Sequence, residues 1–193
     1  MSIGVAGPRA GGLDQRTRRA PRRHRKEERR RLVRQDQVAV RLAELHRIRA
    51  LLEDAVVMVN VGWIQNAWFA VVDDQGGQRR LTAREIHLAD DRPVSGACLV
   101  GGIVHAAGGP DAAHSQLVQR TLDLTWHTLY EGPAQPVRWC PSPSVRAAHV
   151  RDLTRWNDHP QRTARQVSAL LESAVEAADA QIALRRGQQR AAT

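Results

Sequence analysis

Residues 26–58 read KEERRRLVRQDQVAVRLAELHRIRALLEDAVVM, without a single Gly or Pro. Across this stretch and just beyond it, Leu32, Val38, Leu42, Leu45, Leu52, Ala55 and Val59 recur mostly at spacings of three and four. That is the period of one face of an α-helix. A helix this long predicts a mainly α fold. Its apolar seam serves either core packing or pairing with a second copy of the chain. Arg49 falls where a coiled coil would place an apolar side chain, which favours the core.

Downstream, the pattern shortens. Residues 63–72 are rich in aromatic and β-branched side chains and run into Asp73-Asp74-Gln75-Gly76-Gly77, a turn sequence that predicts a β-hairpin. Thr82 and Glu85 have capping-box spacing and open a brief helix through Leu88, before Pro93. Ser95 is predicted to cap a helix of small residues from Gly96 to Ala107, closed by Gly108-Gly109. A further helix is predicted from Asp111 to Tyr130, stopped by Gly132-Pro133. After a proline-rich loop around Trp139, Ser142-Pro143 starts a helix to about Trp156. Thr163 and Gln166 repeat the capping box ahead of a last helix with Val167, Leu170, Leu171, Ala174 and Val175 on its apolar face. From Gly187 the chain is polar and expected to fray. The expected fold class is a small helical domain with a short β-hairpin, a minor α+β element, behind an arginine-rich arm that is disordered when free.

Charge divides the chain more sharply than hydropathy does. Residues 1–36 hold 12 basic residues (Lys26 and 11 Arg) against 4 acidic ones, a net of +8 out of the chain's +9. The expected organisation is therefore a basic arm over 1–36, a single domain over 37–182 and a polar tail over 183–193. Residues 1–25 mix Gly, Pro and Arg and bury too little apolar surface to offset ordering entropy. The near-neutral body carries no polyanion signal of its own.

The two cysteines, Cys98 and Cys140, show neither metal-ligand spacing nor the density of a disulfide-stapled secreted domain, so a reducing cytoplasm is the expected compartment. The most apolar run, 97–107, is broken by Gly101 and Gly102, and a membrane span needs about 20 apolar residues. No membrane partner is expected.

Gly62-Trp63-Ile64-Gln65, Ala97-Cys98-Leu99-Val100-Gly101 and Trp156-Asn157-Asp158 with Arg162-Thr163 come in an order and spacing that resemble an uncharacterised family of actinobacterial and actinophage proteins, a domain of unknown function. The resemblance covers roughly 48–178. It departs from the family pattern at Gly102, where Ala is usual, and in the basic arm. It brings no activity with it, and implies a phage or mobile-element setting. The excess of Ala and Arg fits a GC-rich actinobacterial genome.

Arg16, Arg18, Arg19, Arg22, Arg23, Arg25, Lys26, Arg29, Arg30, Arg31 and Arg34 form the strongest functional signal, because guanidinium groups match phosphate oxygens and a dense cationic segment releases condensed counterions. The expected partner is nucleic acid, DNA before RNA. The opposing reading makes the arm a solubilising extension or the product of an upstream start, with Val33 or Val38 as the true beginning. A second class of function is a protein-interaction module self-associating through 26–58. A third is a small enzyme using His149, Asp152, Asp158 or His159, an acid and base set with partial metal-ligand character. Against it, Asn157 and Asp158 are standard turn and cap residues and Trp156 a natural core anchor. A helix-turn-helix over 151–174 has the right order of elements but too long a connector at 157–162. Trp63 reads as a core residue at a helix-to-strand turn, with base stacking as its alternative. Cys98 reads as a small buried hydrophobe. Gly101 with Gly102 reads as a close-packing pair, since no phosphate-loop or dinucleotide fingerprint surrounds it. No catalytic residue, metal site or cofactor is assigned.

Overall fold

A computed structural model describes residues 14–89, 92–132, 137, 139 and 142–191, with side chains from His24 to Arg190 within those ranges. Residues 1–13 and 192–193, with most of the predicted loop between 133 and 141, lie outside the described residues. The chain divides into two units, Met1–Val40 and Arg41–Thr193.

The first helix, α1 (Asp14–Gly62), starts upstream of the predicted Lys26 and takes in the C-terminal half of the stretch read as disordered when free. Arg, Gln and Ala are good helix formers, and they outweigh Pro21, whose missing N–H costs about 3 kcal/mol in a helix interior. In the second unit Leu45, Ile48, Leu51, Leu52, Ala55, Met58 and Val59 make the buried stripe of α1. Arg49, which interrupts the seam, turns outward and pairs with Asp179 and Glu53, both at 2.9 Å. Leu32, at the start of the seam, is 55% exposed.

Gly62 ends α1 because the chain there passes too close for any side chain. A Cβ would lie 2.3 Å from the carbonyl oxygen of Ser95. The hairpin follows as β1 (Phe69–Val72) and β2 (Gln78–Leu81), paired antiparallel with Phe69 opposite Leu81. Its turn is closed by Asp73, whose Oδ1 accepts from the backbone N–H groups of Gln75 and Gly77. Gly76 takes the positive φ of 79° that the turn requires.

A third strand, β3 (Val94–Ala97), replaces the predicted start of the small-residue helix, giving the sheet order β2-β1-β3. Ser95 is therefore a strand residue and not a cap. The cap is Cys98, whose sulfur accepts from the Gly101 N–H at the start of α2 (Leu99–Ala106). Pairing with β1 decides this outcome. Phe69 and Ala70 are fully buried, and the strand needs a ladder on both edges to satisfy its backbone.

Thr82 and Glu85 form their capping box, with both the N–H and the hydroxyl of Thr82 donating to the Glu85 carboxylate, ahead of a 3-10 turn at Ile86–Ala89. The hydrogen bonds from Thr82 hold the Glu85 carboxyl below its usual pKa. Asp111 does not open the next helix. It belongs to a 3-10 turn, Pro110–His114, and Ser115 in extended conformation caps α3 (Gln116–Tyr130) by accepting from the Val118 N–H. Ser142 and Pro143 start α4 (Pro143–Asn157). The hydroxyl of Ser142 meets that of Ser144 at 2.8 Å and makes no cap bond to the backbone.

The second capping box forms at Thr163 and Gln166 and opens α5 (Ala164–Ala191), which continues through Gly187, where fraying was expected. The core collects α2, whose residues Leu99–Val104 are all buried, between the sheet, the stripe of α1 and the apolar faces of α3, α4 and α5.

Candidate functional site

Among the sequence-predicted phosphate-binding residues, Arg25, Lys26, Arg29, Arg30, Arg31 and Arg34 all lie exposed on α1 in the first unit. Arg16, Arg18, Arg19, Arg22 and Arg23 fall within the backbone of the same helix, and their side chains lie outside the described residues. Lys26, Arg29, Arg30 and Arg34, with Val33 and Gln37, line one open face. Positions four apart rise about 6 Å along a helix, so Lys26, Arg30 and Arg34 form a row of cations about 12 Å long.

The three motifs quoted from the sequence meet in the second unit around Asn157. Its Oδ1 accepts from the Trp63 indole at 2.9 Å and from the Leu99 backbone N–H at 3.1 Å. Its Nδ2 donates to the carbonyl oxygen of Ile64 at 3.2 Å and to Asp158 Oδ1 at 2.8 Å. Gln65 donates to the backbone carbonyls of Asn157 and His159. Asn66 holds a φ of 60°, which Asn tolerates, and directs its N–H at Asp158 Oδ1. Arg162 donates to the Trp156 carbonyl and lies over the Trp156 ring, 3.8 Å from its centroid. Gly101 completes the cluster, because a Cβ there would stand 2.0 Å from the Trp68 carbonyl oxygen. Gly102 is different: its Cβ would meet Val59 Cγ2 at 3.4 Å, an ordinary contact. These residues tie the end of α1, the start of α2 and the end of α4 together.

Cys98 is buried in this region, and burial pushes its thiol up to about 12. A thiol so placed stays protonated and is a poor nucleophile at neutral pH.

The four residues considered for acid and base chemistry separate into two places. Asp158 and His159 belong to the Asn157 cluster, where the His159 ring accepts from the Gln161 N–H at 3.3 Å. His149 and Asp152 face α3. His149 Nδ1 and Asp123 Oδ1 are 2.8 Å apart, the His149 ring stacks on Trp126 at 4.0 Å, and the Trp126 indole donates to Asp152 Oδ2 at 3.1 Å. The Asp123 carboxylate is buried, and its Oδ2 lies 3.4 Å from Arg146 Nε. The sequence pointed to His149 and Asp152 but not to their α3 partners, Asp123 and Trp126. The only local trace of this α3–α4 cluster is a pair of three-residue spacings, Asp123 with Trp126 and His149 with Asp152, which put an acid and a ring on each facing helix.

Beside that cluster, a cavity of about 540 Å³ opens between Trp68, Ile86, Val104, Leu122 and Val150, with Arg146 and Arg151 on its α4 side. Among the described residues no group of three or more His, Cys, Asp or Glu is arranged to hold a metal ion. Among them, too, no helix is long and apolar enough to cross a membrane.

Residues 42–177 match the family of unknown function DUF6197. The chain belongs to that family. The matched span begins in α1 beyond the arm, takes in the whole Asn157 cluster and ends within α5, so the arm lies outside what defines a DUF6197 domain. No curated protein and no solved structure matches this DUF6197 chain.

Proposed function

We propose that this DUF6197 protein is a non-enzymatic, nucleic-acid-associated accessory protein of mobile-element type, which grips phosphates through the basic part of α1. The observation that carries this reading is the exposed row of Lys26, Arg29, Arg30 and Arg34 on one helical face. Guanidinium and ammonium groups held in a row gain affinity by displacing the counterions condensed on a polyanion, whatever its sequence. Support also comes from the Asp and His residues that an enzyme would need. They divide between two clusters, in each of which they bond to structural partners.

The test is affinity for duplex DNA and for RNA against salt, with the full chain and with a chain beginning at Gln37. The full chain is expected to bind with log K falling by about 0.9 per log unit of salt for each phosphate neutralised on DNA, and the shortened chain to lose that binding. Equal binding by both chains, or none by either near physiological salt, overturns the reading.

A second reading, self-association through the same helix, is favoured by Leu32, Val33 and Val40, which are 55%, 47% and 68% exposed. It predicts a mass that rises with concentration in the full chain. Leu32→Ser with Val33→Ser would then return the chain to a monomer while leaving the salt slope unchanged.

A further inference from the structure

The cavity on the second unit is the feature that neither the arm nor the motif cluster uses. Its α4 side is built by Pro143, Arg146, Ala147, Val150 and Arg151, the i, i+3, i+4, i+7 and i+8 positions of one helical face. This face lies beside the stripe that α4 packs on the core, where His149, Leu153 and Asn157 are buried. It borders open space, and Ala147 in its centre is exposed. The opposite walls are apolar and rigidly held: Leu122 and Val104 are buried members of the core, and Ile86 and Trp68 pack against it. At about 540 Å³ the space falls in the range of small-molecule sites, in which apolar walls supply the affinity and a few polar groups fix orientation.

Charge decides what kind of molecule fits. The lining includes two guanidinium groups and no carboxylate. Arg146 has its Nε 3.4 Å from the buried Asp123 carboxylate, so its charge is matched from within the protein. Arg151, five residues further along α4, has no ion-pair partner among the described residues. One net positive charge therefore stands at the edge of an apolar chamber.

We infer that this cavity binds a small organic monoanion, with an apolar, flat or aromatic body seated against Leu122, Val104 and Ile86 and its carboxylate or sulfonate paired with Arg151. Arg146 is a positioning residue, held by Asp123 so that its stem borders the same chamber. The inference goes beyond the nucleic-acid reading and involves none of the arm's residues.

The experiment compares two fluorescent probes of nearly equal shape on the full chain: 8-anilinonaphthalene-1-sulfonate, which carries one negative charge, and the uncharged N-phenyl-1-naphthylamine. The sulfonate is expected to bind at one saturable site more tightly than the neutral probe. Arg151→Gln weakens the sulfonate about tenfold, equivalent to about 1.4 kcal/mol, and leaves the neutral probe unchanged. Ala147→Trp, which fills the chamber from its exposed α4 side, removes saturable binding of both, while circular dichroism shows the helices intact. If Arg151→Gln moves both probes equally, or if both still saturate one site in a folded Ala147→Trp protein, the inference is overturned.

Discussion

The indole Nε1 of Trp63 donates to Asn157 Oδ1 at 2.9 Å, so that the residue just after α1 is bonded to the last residue of α4 across 94 positions of sequence. The same oxygen accepts from the first N–H of α2, and the amide nitrogen of the same side chain holds Ile64. One fully buried amide thus closes the buried Leu99 N–H and Ile64 carbonyl and the half-buried Trp63 indole. Asn157→Ala leaves them unpaired. Each buried orphan costs about 1–3 kcal/mol, so the expected loss is about 3 kcal/mol in urea unfolding. Asn157→Asp keeps the accepting oxygen but turns a second carboxylate oxygen toward Ile64 O and Asp158, and it is expected to destabilise comparably at pH 7. A loss below about 1 kcal/mol for both variants would show that the cluster is not the tie described above.

Adjacent glycines in α2 predict opposite outcomes. Gly101→Ala drives a Cβ to within 2.0 Å of the Trp68 carbonyl, which is also the acceptor for the Cys98 N–H. Backbone cannot yield there as a flexible side chain does, and a loss of about 3 kcal/mol or failure to fold is expected. Gly102→Ala meets only Val59 and Ala55 at 3.4 Å and beyond, and removes glycine's helix penalty of about 1 kcal/mol. It is expected to raise the unfolding midpoint. Thermal melts of the two variants side by side decide the matter.

Much of this fold is legible in sequence where the determinants are local. The Asp73–Gly77 turn, the two capping boxes and the apolar stripe of α1 each depend on residues within a few positions of one another, and each forms. Val94–Ala97 reads locally as a helix start because Ser95 is a good cap, yet β1 recruits it as a partner strand. The Asn157 cluster stands between these cases. Its three motifs are visible as unusual residue strings, but Asn and Asp at a turn look alike whether they cap a helix or reach the Leu99 N–H 58 positions away. The Asp123–His149 pair and the cavity beside it arise from how α3 meets α4, which no spacing within either helix specifies.

Thr163 offers a smaller and cleaner test. Its hydroxyl accepts from the Gln166 N–H while its own N–H donates to Gln166 Oε1, at the exposed start of α5. Thr163→Ala is expected to cost about 1 kcal/mol, with Thr163→Ser retaining most of the stability, as measured by urea midpoints at a constant slope.

Cys98 predicts a pH dependence of known sign. Burial pushes the Cys98 thiol up to about 12 in the folded chain, from 9.0 for a thiol in water. Between those values the unfolded chain has released the thiol proton and the folded chain keeps it, so this group's contribution to stability falls as pH rises from about 9 toward 12. Cys98→Ala removes that slope and also the sulfur that accepts from Gly101. Iodoacetamide at pH 8, followed by peptide mapping, is expected to leave Cys98 unmodified in the folded protein and to label it in urea. Labelling at the same rate in both conditions would contradict the burial argument.

The nucleic-acid reading makes a quantitative demand on α1 that deletion of the arm does not address. Replacing Arg29, Arg30 and Arg34 together by Gln removes three cations from the exposed face while keeping residues of high helix propensity. Circular dichroism should therefore show unchanged helicity. If all three groups neutralise phosphates on DNA, the slope of log K against log salt becomes shallower by about 2.7, about 0.9 for each. The affinity loss should be equal for unrelated duplex sequences, since phosphate contacts carry no base information. A loss that depends strongly on sequence would move the helix into a groove as a reader of bases. An unchanged slope would remove this face from the interface and leave Leu32 and Val33 as the reason for its exposure.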